Sequence, residues 1–236
     1  AIEKVRGNPY LLARDIPGIG FETARCLRER GARVESIDRR VVREPPPLLF
    51  DLTSLQRTAN RRYGLSAQRT LDVAQALYET HKLITYPRTD ARHLTPDQVP
   101  ELPAIVEALA ELPPYRDCAR GLLARPISPS SRVVNAAEVG DHHAILPTSV
   151  RVDPASLTPD QKRVYDLVAR RLLAALSPDA IFDLTSLVLE VREARCPEPL
   201  PRPPRLRARG RVCRERGWQS IDPPPASRER DLPLLP

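Results

Sequence analysis

Residues 83–90 read LITYPRTD and follow a stretch with the apolar periodicity of an amphipathic helix. Pro87 fixes its own φ and keeps Tyr86 out of the α region, so we expect an extended or turn backbone at the phenol, not a helix. The guanidinium of Arg88, two residues on, can stabilise a phenolate and hold a phosphate. The stretch is therefore compatible with phosphoryl transfer to Tyr86. An ordinary Tyr-Pro turn beside a surface Arg-x-Asp pair is the alternative.

Two helices are predicted immediately before this stretch, over residues 52–65 and 67–83. The Thr-Ser pair after Leu52 can cap the first helix, and Gly64 can end it. Ser66 can cap the second helix, whose apolar stripe indicates one buried face. The second helix is thus expected to be a rigid rod that carries the tyrosine loop at its C-terminal end.

Helix starts are also indicated by a repeated tetrapeptide, Thr-Pro-Asp-Gln, which begins at Thr95 and again at Thr158. Each copy has the pattern of a capping box with proline at the first helical position. The helix after the second copy is expected to run to Leu176. Residues 113–132 are rich in proline and lack a period, which predicts a loop.

Three segments have strand patterns: residues 34–42, 181–191 and 205–212. The third reads RLRARGRV and would place four guanidiniums on one face, those of Arg205, Arg207, Arg209 and Arg211. Such a row could follow a phosphate backbone, or it could protect a sheet edge against strand addition. Residues 15–31 resemble half of a helix-hairpin-helix, in which backbone amides bind a phosphate, but a simple glycine turn is the alternative.

Composition favours an anionic partner. The net charge is +7 over 236 residues, and lysine occurs only at Lys4, Lys82 and Lys162, so the basic residues are mainly arginine. Arginine suits bidentate phosphate contacts, which makes nucleic acid the leading candidate, although a high-GC genome would also enrich arginine.

The four cysteines are widely spaced without a CxxC pair, which argues against a zinc ribbon and against a secreted disulfide framework. No apolar run reaches the length of a membrane span. We therefore expect a cytoplasmic protein without a membrane partner.

A family resemblance rests on two stretches of the sequence. Residues 45–90, followed by GDHHAILPT at residues 140–148, closely resemble the strand-cleaving region of type IA DNA topoisomerases, in particular the bacterial topoisomerase III branch. The resemblance resumes at residues 157–178 and 205–225 and covers more than half of the chain in the family's order. Before the histidines, residues 135–140 read NAAEVG, where related enzymes commonly have an acidic residue and a lysine.

The resemblance implies an α+β, predominantly helical fold, made of a helical tyrosine-bearing domain and part of a β-rich arch. Residues 1–47 would form an arch segment that carries the hairpin insertion. Residues 48–150 would form the strand-cleavage domain and residues 151–183 a helical segment. Residues 184–236 would form the β return of the arch and a proline-rich tail.

The resemblance also implies catalytic roles. Tyr86 matches the nucleophile that becomes joined to the 5′ phosphate of single-stranded DNA, and Arg88 matches the arginine that steadies that phosphate. His142 matches the first histidine of the family's motif and can donate to a phosphate oxygen. Asp90 is assigned to orient this histidine.

Four residues are expected to contact DNA: Ser54, Gln56, Arg61 and Thr89. The family's Mg²⁺ is expected to bind a Toprim portion of the same enzyme, with no metal ligand in this chain. The partners are then DNA, chiefly single-stranded, and that Toprim portion, without which this chain is expected to be inactive.

Two alternatives compete with the enzyme hypothesis. Tyrosine recombinases also combine tyrosine, arginine and histidine, but their tyrosine follows an HxxR motif, whereas here Tyr86 precedes His142 and no HxxR occurs. The order of the motifs argues against that class. The other alternative is a non-catalytic DNA-binding remnant that uses the arginine row.

Overall fold

The structure, a computed structural model, describes residues 32–191 and 205–224. They divide into two compact units. The first, here called the sheet unit, comprises described residues 32–44, 180–191 and 205–216. The second, the helical unit, comprises Pro45–Asp179 and Gly217–Pro224. The hairpin predicted over residues 15–31 lies outside the described residues.

The described part of the helical unit contains five α-helices, namely α1 (Leu52–Tyr63), α2 (Ala67–Glu79), α3 (Leu102–Ala110), α4 (Arg116–Leu123) and α5 (Pro159–Ala175). Three short 3₁₀ turns lie between these helices, namely Pro96–Glu101, Ala136–Glu138 and Pro154–Ser156, and a fourth, Gly217–Ser220, lies near the end of the described residues. Helices α1, α2 and α5 pack on one another, and α3 packs on α4.

The N-cap predicted for α1 is wrong by a few residues. Asp51 caps the helix, because its carboxylate accepts a hydrogen bond of 2.7 Å from the backbone N–H of Ser54. The end of the helix is as predicted, since Gly64 adopts the left-handed conformation at φ 70°.

Ser66 caps α2 as predicted, accepting from the N–H of Arg69 at 3.1 Å. The helix ends earlier than the sequence pattern predicts, at Glu79. The reason is a turn at Lys82, which has φ 57° and cannot continue a right-handed helix.

The two capping boxes have different outcomes. Thr158 starts α5 with both hydrogen bonds of the box, 3.3 Å from the N–H of Gln161 and 2.8 Å to its amide oxygen. Thr95 starts a 3₁₀ turn that contains Pro100, and α3 follows it. The loop predicted over residues 113–132 is also wrong in part, because α4 lies within it.

The core of the helical unit is apolar and fully enclosed. Leu55 of α1, Leu77 of α2 and Leu172 of α5 each expose 0% of their surface. Burial of side chains of this size is the main stabilising contribution to such a fold. The segments around the tyrosine contribute Ile84 and Ile145, so the tyrosine loop is attached directly to the core.

The sheet unit consists of three antiparallel strands in the order β1 (Ala32–Glu44), β2 (Ala180–Val191) and β3 (Arg205–Glu215). The three predicted strands are confirmed. In the register, Thr185 of β2 lies between Arg39 of β1 and Gly210 of β3.

The α+β class is therefore confirmed, whereas the predominance of helix, the arch and the four-part domain division stay predictions. Within the described ranges, no helix has both the length and the apolar character that a membrane crossing needs.

Candidate functional site

The tyrosine loop is held by backbone pairing with the segment that follows the two histidines. The N–H of Thr85 donates to the carbonyl of Leu146 at 2.9 Å, and the N–H of Leu146 donates to the hydroxyl of Thr85 at 2.9 Å. The N–H of Thr148 donates to the carbonyl of Leu83 at 3.0 Å. These bonds bring the tyrosine and histidine segments side by side although they are distant in sequence.

Tyr86 and His142 meet at this point. Their ring centroids are 4.5 Å apart with an interplanar angle of 48°. Tyr86 is half-buried and His142 is exposed. The two residues that the sequence assigns to nucleophile and phosphate donor are thus neighbours at the protein surface, where a nucleic acid strand could reach both.

Arg88, two residues after Tyr86 in the sequence, is exposed. Its Nη2 donates to Oε1 of Gln75 on α2 at 3.4 Å, and it makes no ion pair within residues 32–191 and 205–224. A guanidinium that is positioned by an amide and has no carboxylate partner keeps its charge available to an anion. Its predicted role at the phosphate stays a prediction.

Asp90 is also exposed, but no hydrogen bond joins it to His142 in the described part of the chain. Its orienting role stays a prediction. The residue that attaches to the histidine segment is Thr89, whose hydroxyl donates to the carbonyl of His142 at 3.0 Å and accepts from the N–H of Ala91 at 3.1 Å. Thr89 is only 7% exposed, which is the placement of a structural residue, and the predicted DNA contact stays untested.

The other three predicted DNA contacts lie on α1. The hydroxyl of Ser54 is part of the cap, 3.2 Å from the N–H of Asp51. The side chain of Gln56 donates to the carbonyl of Ala67 at 3.0 Å and thereby links α1 to α2. Arg61 is exposed in the last turn of α1 without an ion pair among the described residues, so of the three it has the side chain least occupied by the protein.

Three residues near the tyrosine were missed by the sequence reasoning: Gln75, Tyr78 and Thr85. Tyr78 contacts the ring of Tyr86, with centroids 5.5 Å apart. The apolar stripe predicted for α2 indicates one buried face but carries no information on which loop Gln75 or Tyr78 touches. Thr85 precedes the tyrosine, but its hydroxyl bond depends on a partner far along the chain.

The arginine row on β3 is confirmed as a row on one face. Alternate residues of a strand share a face, and β3 pairs with β2 without a break from Arg205 to Arg211. Its ends are occupied: Arg205 pairs with Glu35 at 2.7 Å and Arg211 with Glu44 at 2.8 Å. Arg207 and Arg209 make no ion pair within the described ranges. The row therefore contains two guanidiniums without a carboxylate partner in the described ranges, those of Arg207 and Arg209.

The described residues contain no group of three or more His, Cys, Asp or Glu side chains that could hold a metal ion. The donor set for a divalent cation is thus not found in the part of the chain that the structure describes.

Comparisons with known proteins agree with the motifs. The sequence model of a family described as DNA topoisomerase matches residues 22–236. DNA topoisomerase 3 from Bacillus subtilis (strain 168) is 36% identical over 216 residues, which cover 89% of this chain and 28% of that protein. DNA topoisomerase 3 from Bacillus cereus (strain ATCC 14579) is 37% identical over 195 residues, covering 83% of this chain and 25% of that protein.

The structure of full-length topoisomerase I from Thermotoga maritima matches with a TM-score of 0.57 at 22% identity, covering 88% of this chain and 32% of that one. This likeness concerns the fold alone. The chain spans 28% or less of the length of these two Bacillus relatives. Its sequence nevertheless matches them over most of its own length, and the chain therefore belongs to the bacterial type IA DNA topoisomerase family, in which it is similar to topoisomerase III.

Proposed function

We propose that this chain supplies the strand-cleaving part of a type IA DNA topoisomerase, with Tyr86 as the nucleophile. The observation that carries the proposal is the 4.5 Å approach of the Tyr86 and His142 rings at the surface of the helical unit. Family membership makes DNA the expected substrate, and the loop geometry makes this tyrosine the expected point of attachment.

The reaction is a transesterification. The Tyr86 oxygen attacks the phosphorus of a single-stranded DNA phosphodiester, a Tyr86 O–P bond forms, and the bond from phosphorus to the 3′ oxygen breaks. The phenol loses a proton and the departing 3′ oxygen gains one, so the products are a 5′-phosphotyrosine and a free 3′ hydroxyl. Attack by that hydroxyl on the phosphotyrosine reverses each step. No other energy source is required, because the ester keeps the energy of the broken bond.

Arg88 and His142 contribute positioning and electrostatic stabilisation, which phosphoryl transfer mainly requires. The Arg88 guanidinium would bind non-bridging oxygens of the phosphate, and the His142 imidazole would donate a hydrogen bond to one of them. Asp90 would act on His142 only after a rearrangement or through a bridging water, because no direct hydrogen bond joins them in the described part of the chain.

Type IA topoisomerases use Mg²⁺, and we assign its binding to a Toprim portion of the enzyme, as the family resemblance implies. No step above runs through the metal. The location of the enzyme is expected to be the cytoplasm, where its DNA is.

The test uses a chimera in which this chain replaces the matched segment of Bacillus subtilis DNA topoisomerase 3. The chimera is incubated with Mg²⁺ and a single-stranded oligonucleotide labelled at one end, and denaturant then traps covalent adducts. A 3′ label should become attached to protein and a 5′ label should be released. The Tyr86→Phe variant should form no adduct, while Tyr63→Phe, which alters another half-buried tyrosine, should form it normally.

A second candidate is a DNA-binding remnant without catalysis, favoured by the free charges of Arg207 and Arg209 on β3. It predicts that a folded chimera binds the oligonucleotide and never forms an adduct. It also predicts that Tyr86→Phe leaves the affinity unchanged while Arg207→Ser weakens it. A folded, DNA-binding chimera without an adduct would contradict the enzyme proposal.

A further inference from the structure

Tyr86 is restrained by rings and not by hydrogen bonds. Tyr78, in the last turn of α2, lies at 5.5 Å and 75° from the ring of Tyr86, an edge-to-face arrangement. The ring of His142 lies 4.5 Å from the ring of Tyr86, with an interplanar angle of 48°. No hydrogen bond to the Tyr86 hydroxyl occurs within the described ranges, so the hydroxyl is free to meet a substrate.

Tyr78 has a restraint of its own. The Lys82 ammonium lies 5.5 Å from the centroid of the Tyr78 ring, which is cation–π distance. Tyr78 also uses no hydrogen bond in the described part of the chain, so its ring and not its hydroxyl makes its contacts. The order of contact is therefore Lys82, Tyr78, Tyr86 and His142.

The backbone at Lys82 is unusual. Among the described residues, Lys82 is the only non-glycine residue with a positive φ, at 57°. Glycine would adopt this conformation without strain, so a lysine here is a local cost that other contacts must offset. Its carbonyl accepts from the Thr148 hydroxyl at 2.6 Å, and the next N–H, of Leu83, donates to Leu77 at 2.9 Å. The turn is thus fixed on both sides, and it carries the ammonium to the ring of Tyr78.

We propose that Tyr78 is a positioning residue for the Tyr86 nucleophile and that Lys82 holds Tyr78 in place. The effect on catalysis rests on the proposed function. In-line attack needs the phenol oxygen at a defined place and angle, and small displacements of reacting atoms cost large factors in rate. An edge-to-face ring on α2 limits rotation of the Tyr86 side chain while leaving its oxygen unoccupied.

The kinetic experiment separates positioning from binding. In the chimera, the single-turnover rate of adduct formation is measured at saturating oligonucleotide, together with the oligonucleotide Kd. Tyr78→Leu should lower the rate by about 10- to 100-fold and leave the Kd within about twofold. Tyr78→Phe keeps the ring edge and should restore the rate to within about twofold of the unaltered chimera. Lys82→Gly, which also relieves the strained φ, should lower the rate while raising or preserving the Tm.

Tyr63→Leu is the matched control, because Tyr63 is also a half-buried tyrosine at a helix end with a cation above it, Arg163 at 5.5 Å, but it makes no ring contact with Tyr86 in the described part of the chain. The inference is overturned if Tyr78→Leu cleaves as fast as the unaltered chimera, or if Tyr78→Leu and Tyr63→Leu lose rate equally. The full chain alone gives a readout that needs no activity: with ¹³C-labelled tyrosine, the Tyr86 ring signals should shift in Tyr78→Leu and not in Tyr63→Leu. An unaltered chimera without an adduct would contradict the proposed function, while the ring shift would still test the contact.

Discussion

Replacement of Asp222 by alanine is expected to destabilise the helical unit by about 3–5 kcal/mol. Asp222 lies just after the last 3₁₀ turn, and its carboxylate accepts hydrogen bonds from two guanidiniums, those of Arg62 on α1 and of Arg171 on α5, the latter at 3.1 Å. The carboxylate therefore links two helices to the returning segment of the chain.

The size of the loss follows from burial. The Asp222 side chain is 6% exposed and the Arg171 side chain 11%. Arg171 also lies 3.9 Å above the ring of Phe50 and donates to the carbonyl of Leu48 at 3.2 Å. Burial lowers the pKa of the Arg171 guanidinium, and Asp222 opposes that shift. Removing the carboxylate thus leaves a buried charge without its counter-ion, which is costly.

Urea denaturation and thermal unfolding of the chain measure the effect. For a unit of this size, the expected loss corresponds to a fall in Tm of about 6–20 °C. Asp160→Ala is the matched control, since Asp160 also contacts two guanidiniums, but those of Arg69 and Arg163 are 55% and 49% exposed. Its loss should be about 0–1 kcal/mol. Equal losses for the two variants would refute the argument from burial.

Two further predictions concern backbone space and alkaline pH. Gly64→Ala should cost about 1–2 kcal/mol, because Gly64 has φ 70° with open space around it. Gly217→Ala should cost clearly more, because φ is 48° and a Cβ would lie 2.3 Å from the carbonyl oxygen of Asp179. Equal costs for the two glycine variants, measured by urea denaturation, would contradict this argument. Burial raises the pKa of the Cys118 thiol from its ordinary value of 9.0 to about 11. The unfolded chain then loses this proton first, so the thiol's contribution to stability is complete below pH 9 and declines between pH 9 and 11. Cys118→Ala should show a shallower decline across that range in denaturation experiments, and identical slopes would contradict the prediction.

Local chemistry made the helix boundaries predictable where a single side chain or glycine decides them. Gly64, Ser66 and Thr158 each act within three or four residues of their position, so sequence spacing alone identifies their roles. The alternation of β2 and β3 is likewise local. The N-cap of α1 is an exception, because Asp51, just before the predicted Thr-Ser pair, caps the helix instead. Helix α4 was missed because it is eight residues long and includes Gly121, so it is too short and interrupted for a period to be visible.

The sequence suggested which residues form the candidate site, whose roles stay predictions, but it did not reveal their contacts. The motif resemblance selected Tyr86 and His142, and the structure places their rings together through the backbone pairing of Thr85 with Leu146. Nothing in the periodicity of α2 could identify Tyr78 as the neighbour of Tyr86, because the contact depends on the reversal of the chain at Lys82. Neither the pairing of distant segments nor a turn with strained backbone leaves a short sequence pattern from which it could be predicted.

Peptide mapping of the trapped adduct tests the assignment of the nucleophile most directly. After denaturation and nuclease treatment, trypsin cleaves after Lys82 and Arg88, which releases LITYPR, residues 83–88, as one peptide. Mass spectrometry of the chimera should show this peptide carrying a nucleotide through a 5′ phosphate on Tyr86. A nucleotide on any other residue, or a 3′ phosphate linkage, would contradict Tyr86 as the residue that cleaves the strand.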